Sequence, residues 1–138
     1  MKAYFEAKAK GLAMSDNGLI KPATEHLLVD AMTFTECEAK VLQHYEGNDS
    51  IKELAMFAAS RSKIEECVMY GDTDQFWKVK VEYEASEEGE KPKKVAMYLL
   101  VNANDDHEVG ERTRDHLKEW LVPYEISSVI KSKIGEVV

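Results

Sequence analysis

The sequence predicts an α+β fold in which a ββαβ unit is duplicated in tandem: six main strands, two helices packed on the sheet and a pseudo-two-fold relation between the halves. Three observations carry this. The stretch "RSKIEECV" at 61–68 returns as "KSKIGEVV" at 131–138, and an internal repeat sets the architecture before any single element does. Within each half the apolar period runs from two to about 3.6 and back to two. Each half also carries a helix-start signature at the same repeat position.

A shift of 72 residues carries "YFEAKA" (4–9) onto "FWKVKV" (76–81) and "LVDA" (28–31) onto "LVNA" (100–103). It also carries Glu36 onto Glu108 and His44 onto His116. After the helix the shift becomes 70. The chain therefore reads as a single domain, 1–138, made of repeat one (4–68) and repeat two (76–138), with no linker left over.

The first strands alternate Phe5, Ala7 and Ala9 with Tyr4, Glu6 and Lys8, and Trp77, Val79, Val81 and Tyr83 with Phe76, Lys78, Lys80 and Glu82. Period two with one apolar side marks a half-buried strand. Asn17-Gly18 is a strong hairpin turn, and "ASEEGEKPKK" takes its place in the second copy. The return strands, about 23–31 and 94–103, are apolar on both sides and read as central.

Thr33-x-x-Glu36 is a capping box and Asp105-x-x-Glu108 its counterpart, which makes Glu36 and Glu108 helix caps rather than catalytic acids. The stripes Phe34, Cys37, Val41, Leu42, Tyr45 and Val109, Thr113, Leu117, Trp120, Leu121 face the sheet. Gly47 and Pro123 stop the helices. The last strands span about 51–68 and 124–138, long enough to require a bulge or bend. One side carries Met56, Ala58, Ser60, Ser62 and Ile64; in copy two it carries Ile126, Ser128, Ile130, Ser132 and Ile134. Trp77 and Trp120 are expected in the core, with Phe5 and Tyr45 in corresponding places.

The aromatic-rich opening "YFEAK", then "LLVDAMTFTECEA", then a strand ending in basic-x-Lys-Ile resembles an uncharacterised family, domain of unknown function 4494, of Bacteroidetes and their phages. The resemblance covers nearly the whole chain and is most specific from Leu28 to Ala39. It implies a bacterial or phage cytosolic setting, and brings no activity, cofactor or catalytic residue.

A net charge of −8 argues against sequence-independent DNA binding. No apolar run is long enough to span a bilayer, and "MKAYFEAKAKG" is not a secretory signal, so a cytoplasmic protein without membrane attachment is expected. Cys37 and Cys67 stand outside any metal-ligand spacing and read as reduced, buried thiols. Phosphate-loop, dinucleotide, zinc-protease and nucleophile-elbow motifs are all missing. No catalytic residue, metal site or cofactor is assigned, and an enzyme is not the expectation. His44 and His116 share one repeat position, which suits boundary histidines or, less simply, a symmetric metal or proton site.

Alternation does suggest a binding surface. Opposite the core it places Lys8, Lys78 and Lys80 with Tyr4 and Phe76, then Arg61, Lys63, Lys131 and Lys133, with His26 and Tyr98 from the central strands. The candidate ligand residues are Lys8, Lys80, Arg61, Lys63, Lys131, Lys133, Tyr4, Phe76 and Tyr98. Cations and aromatics on one sheet face suit a phosphate-bearing ligand, either a nucleotide or single-stranded nucleic acid. A bulge would turn Arg61 and Lys63 inward, and Glu6, Glu65 and Glu82 are placed to neutralise the face. The expected function is a non-enzymatic binding module. The alternative is an assembly module, whose sheet edges and exposed aromatics take a protein partner or a second subunit.

Overall fold

The computed structural model describes residues 3–138. Eight strands and two helices are found among them, in two four-stranded sheets, where six main strands were expected. The chain runs β1 (Tyr4–Met14), β2 (Ile20–Asp30), α1 (Phe34–His44), β3 (Ile51–Arg61), β4 (Ile64–Val68), β5 (Phe76–Ala85), β6 (Lys93–Asn102), α2 (Asp106–His116), β7 (Tyr124–Lys131), β8 (Glu136–Val137). The expected long last strands each divide into a long piece and a short one, β3 with β4 and β7 with β8.

Each short piece joins the sheet built mainly by the other half of the chain. One compact unit holds the described residues up to Ser62 together with Ile134–Val138, and the other holds Lys63–Lys133. In the first unit the sheet order is β3-β1-β2-β8; in the second it is β4-β6-β5-β7, the same order read from the other side. β8 pairs in parallel with β2, and β4 in parallel with β6. The unit boundaries therefore differ from those expected from the sequence, 4–68 and 76–138, in where the short strands β4 and β8 belong.

Linker length explains why β4 is absent from the first sheet. Only Ser62 and Lys63 separate β3 from β4. The steps from Arg61 to Ile64 reach at most about 11 Å when fully extended. The position beyond β2 lies three strand spacings from β3, roughly 14 Å away across the sheet. β4 cannot reach the position beside β2 in the sheet that holds β3.

In the first unit Phe5, Ala7, Ala9, Leu27 and Val29 form a buried cluster with Cys37 and Val41 of α1. In the second, Val79, Val81, Leu99 and Val101 do so with Val109 and Leu117. Thr33 and Asp105 cap the helices by accepting from the N–H of Glu36 (3.1 Å) and Glu108 (2.8 Å). The two glutamates accept in turn from Met32 N and Asn104 N, one residue before the cap. That backbone donor is the leading reason the Glu36 carboxyl titrates below its ordinary range. Gly18 takes a φ of 76° in the first hairpin turn, a conformation that favours glycine.

Three expectations are corrected. Both helices end at histidine, before Gly47 and Pro123, so Trp120 and Leu121 fall outside the helix. Trp120 is 36% exposed and Leu121 98%. Trp120 sits edge-on between Tyr83 (5.4 Å) and Tyr124 (5.9 Å), over one end of the sheet. Phe34 and Leu42 of the other stripe are also exposed, whereas Tyr45 and Trp77 pack on their clusters.

The bulges expected in β3 and β7 are present, and the third correction concerns the faces of the residues beyond them. Bulges interrupt their pairing with β1 and β5 between Ala58 and Met56, and between Ser128 and Ile126. The extra residues are Phe57 and Ser127, which correspond under the 70-residue shift. A bulge flips the parity of everything beyond it. Ala59 and Val129 therefore join the helix-side cores, while Ile130 is 62% exposed.

Candidate functional site

The bulges scatter the expected cationic surface. Arg61 pairs with Phe5, and Lys131 with Trp77, which are core-side residues. The Arg61 guanidinium lies 5.3 Å from the Phe5 ring and donates to the carbonyl of Met32. The Lys131 ammonium lies 5.9 Å from the Trp77 ring. Both are thus on the helix side, opposite Lys8 and Lys80. Tyr4 and Phe76 stay on the predicted side but are 5% and 4% exposed, so neither offers a ring face to a base. Lys63 lies 5.9 Å over Tyr98. Lys133 is exposed and joins none of these contacts.

In the second unit the remaining cations are largely answered. Glu82 meets Lys94 at 3.3 Å and Lys80 at 3.9 Å. A hydrogen bond from Ser127, then Lys94 and Lys80, hold the Glu82 carboxyl below the ordinary carboxylate range. A cleft of about 520 Å³ at this end is lined by Tyr83, Tyr124, Glu82, Glu84 and Glu125 among others, and its acids repel an anion.

The first unit differs. On the side of its sheet away from α1, Lys8 of β1 stands opposite His26 of β2 in register, and Ala58 of β3 flanks Lys8. Glu6 and Ser60 are the next facing pair along the strands. These residues and Ile134 line a cleft of about 310 Å³. Glu6 accepts from Ser62 Oγ at 2.9 Å, whereas Lys8 and His26 have no hydrogen-bond or ion-pair partner among the described residues. Two adjacent free donors, a nearby hydroxyl and an apolar wall can hold a small anion. The sequence had placed Lys8 and His26 on this side. Unbroken alternation puts Ser60 on the inner side, and the bulge at Phe57 turns it outward.

His44 and His116 find a different role from a shared metal site. His116 Nε2 lies 2.7 Å from Glu66 of β4, and His44 Nε2 contacts Glu136 of β8. Each histidine holds the exchanged strand against the helix of the receiving unit. No cluster of His, Cys, Asp or Glu among the described residues could hold a metal. Cys37 is fully buried, which pushes its thiol pKa up and makes it a poor nucleophile.

Asn102, at the position that Asp30 occupies in the first half, does more than shape a turn. Asn102 is buried; its Oδ1 accepts from Tyr70 N at 2.6 Å, and its Nδ2 donates to the carbonyls of Tyr70 and Thr73. Arg112 donates to the Asn102 carbonyl, pairs with Asp72 at 2.6 Å and lies over the Tyr70 ring. Together they fix the connection between β4 and β5.

No helix among the described residues is long and apolar enough to cross a membrane. No curated protein and no solved structure matches the chain. The model of one family, described as a domain of unknown function (DUF4494), matches residues 3–138, and the chain belongs to that family.

Proposed function

We propose that the protein is a non-enzymatic binding module whose first unit holds a small anionic ligand, a nucleotide or another phosphate- or carboxylate-bearing molecule, in the cleft of Lys8, His26 and Ser60. The observation that carries this reading is the pair of neighbouring side-chain donors, Lys8 and His26, that line one cleft and have no hydrogen-bond or ion-pair partner among the described residues. A cleft of about 310 Å³ is at the lower end of small-molecule sites. The burial of Tyr4 and Phe76 favours a compact ligand over a strand of stacked bases. The matching strand orders of the two sheets support a tandem duplication in which one copy kept the free donors. A cytoplasmic setting is part of the same reading.

The test is titration of the full chain with inorganic phosphate, AMP and a short oligonucleotide at low and high salt, followed by NMR. Phosphate or AMP should perturb the amides of β1 and β2 around Lys8 and His26. Lys8→Ala should weaken binding about tenfold or more, the equivalent of one charged hydrogen bond, and Lys80→Ala less than about twofold. Absence of salt-sensitive binding by all three probes, or equal loss from both variants, would sink the proposal.

A further inference from the structure

Lys8 and His26 stand directly opposite each other on neighbouring antiparallel strands, which brings their Cβ atoms to about 5 Å. The second unit has Lys80 and Tyr98 in the same register, so there a lysine faces a neutral phenol. At this position only the first unit lets both facing side chains be cations, and like charges directly opposite each other on a sheet repel. Glu6 and Lys10 flank Lys8 on the same face of β1. Glu6 accepts from Ser62 Oγ, and Lys10 lies 5.1 Å over the Phe57 ring. The neighbours of His26 on that face of β2 are Thr24 and Leu28, and β3 brings Ser60 and Ala58. The β8 segment brings Ile134, and Gly135, which donates to the His26 carbonyl. Lys133 precedes it in the chain, and Glu136 contacts His44 on the helix side. Among the described residues that line the cleft, Glu6 is the one carboxylate. An anion between Lys8 and His26 cancels their repulsion and gains a charge-assisted hydrogen bond from each.

We propose that His26 takes up a proton from solvent as the ligand binds, and that the ligand is a doubly charged phosphate monoester rather than a phosphodiester or a carboxylate. The proposal rests on the reading of the Lys8–His26 cleft as an anion site. A lysine ammonium stays charged through the physiological range, whereas an imidazole gains its charge between about pH 8 and pH 5. One lysine answers a single negative charge; the second charge of a dianion is answered only when the imidazole is protonated. The coupling is reciprocal: the bound dianion favours the imidazolium, and the imidazolium favours the dianion over a monoanion. Binding of a fixed dianion therefore tightens as the pH falls. A phosphate monoester itself gains a proton near about pH 6, so its binding peaks in the range where dianion and imidazolium coexist. Tyr98 at the equivalent place gives the second unit no such response.

The experiment uses the full chain at low salt with two probes, sulfate and methyl sulfate, which stay doubly and singly charged at every pH where histidine titrates. NMR follows the His26 ring proton through a pH titration with and without each probe. Saturating sulfate should raise the titration midpoint of that ring by about one pH unit, and sulfate should bind up to about tenfold more tightly at about pH 5.5 than at pH 8. Methyl sulfate should bind more weakly at the lower pH and move the midpoint less. His26→Gln keeps a side-chain donor and should flatten the pH dependence, while Lys8→Ala should weaken sulfate at both pH values. If either variant fails to fold, the ring titration of the unaltered chain decides alone. Sulfate binding that is the same at both pH values, or equal affinity for the two probes, overturns this proposal and leaves the anion site standing. Absence of binding by either probe at both pH values overturns the anion site and the proton coupling together.

Discussion

The two units share one strand order and one helix position, yet they fill the same places with different chemistry. At the far end of the helix-side sheet face the first unit has Gly11, approached by Ile51 and Leu54. The 72-residue shift puts Tyr83 at the Gly11 position, and the 70-residue shift puts Tyr124 at that of Leu54. With Trp120 these rings cover the second unit's end. On the opposite side, His26 becomes Tyr98 and Glu6 becomes Lys78, while the free Lys8 becomes Lys80, paired with Glu82. At the strand-to-helix corner, Asp30 becomes the loop-holding Asn102. At Gly11 the backbone itself differs, because the β1–β3 register shifts between Lys10 and Leu12 whereas β5 and β7 pair regularly through Tyr83 and Tyr124; at the Lys8 position the two sheets share one register and hold a free or a paired lysine.

The sharpest way to break the comparison is at the corner. Asn102→Ala should cost about 2–4 kcal/mol, since it strands the buried backbone groups of Tyr70 and Thr73. The Asp30 carboxylate has no partner among the described residues, so Asp30→Ala should stay within about 0.5 kcal/mol. Urea melts of both variants decide the matter, and equal losses would mean that the two corners do the same job.

Gly11→Ala tests the crowded end. Its Cβ would lie 2.6 Å from Ile51 Cγ2 and 3.0 Å from the carbonyl of Lys52, part of it backbone that cannot simply rotate away. A loss of about 1–3 kcal/mol is expected, as for overpacking; a neutral melt would show that β3 yields there. Trp120→Ala should be milder, about 1–2 kcal/mol from two edge-on ring contacts. Full burial of the ring would instead cost about 3–5 kcal/mol, so a loss of that size would restore the core position expected from the sequence.

Much of the fold was legible because it rests on local rules. Alternation in β1 and β5, the Asn17-Gly18 turn and the two helix caps each need only neighbours in sequence. The caps were read with their partners correctly chosen, to within one residue for the returning glutamate. The stripes were overextended at Trp120 and Leu121 because an apolar period cannot mark the turn at which a helix unwinds.

The sequence by itself determined the strand periods, the helix starts, the 70- and 72-residue correspondences and the side on which Lys8, Lys80, His26 and Tyr98 lie. Their physical basis is short-range: pleat, helical pitch and capping act over a few residues. Only the tertiary structure decided which sheet receives β4 and β8, since strand exchange depends on the distance to a distant edge. It alone located the bulges at Phe57 and Ser127, whose one-residue offsets moved Arg61 and Lys131 to the helix side. It alone revealed that His44 and His116 each meet a glutamate from the exchanged strand, because their partners are 92 and 50 residues away along the chain.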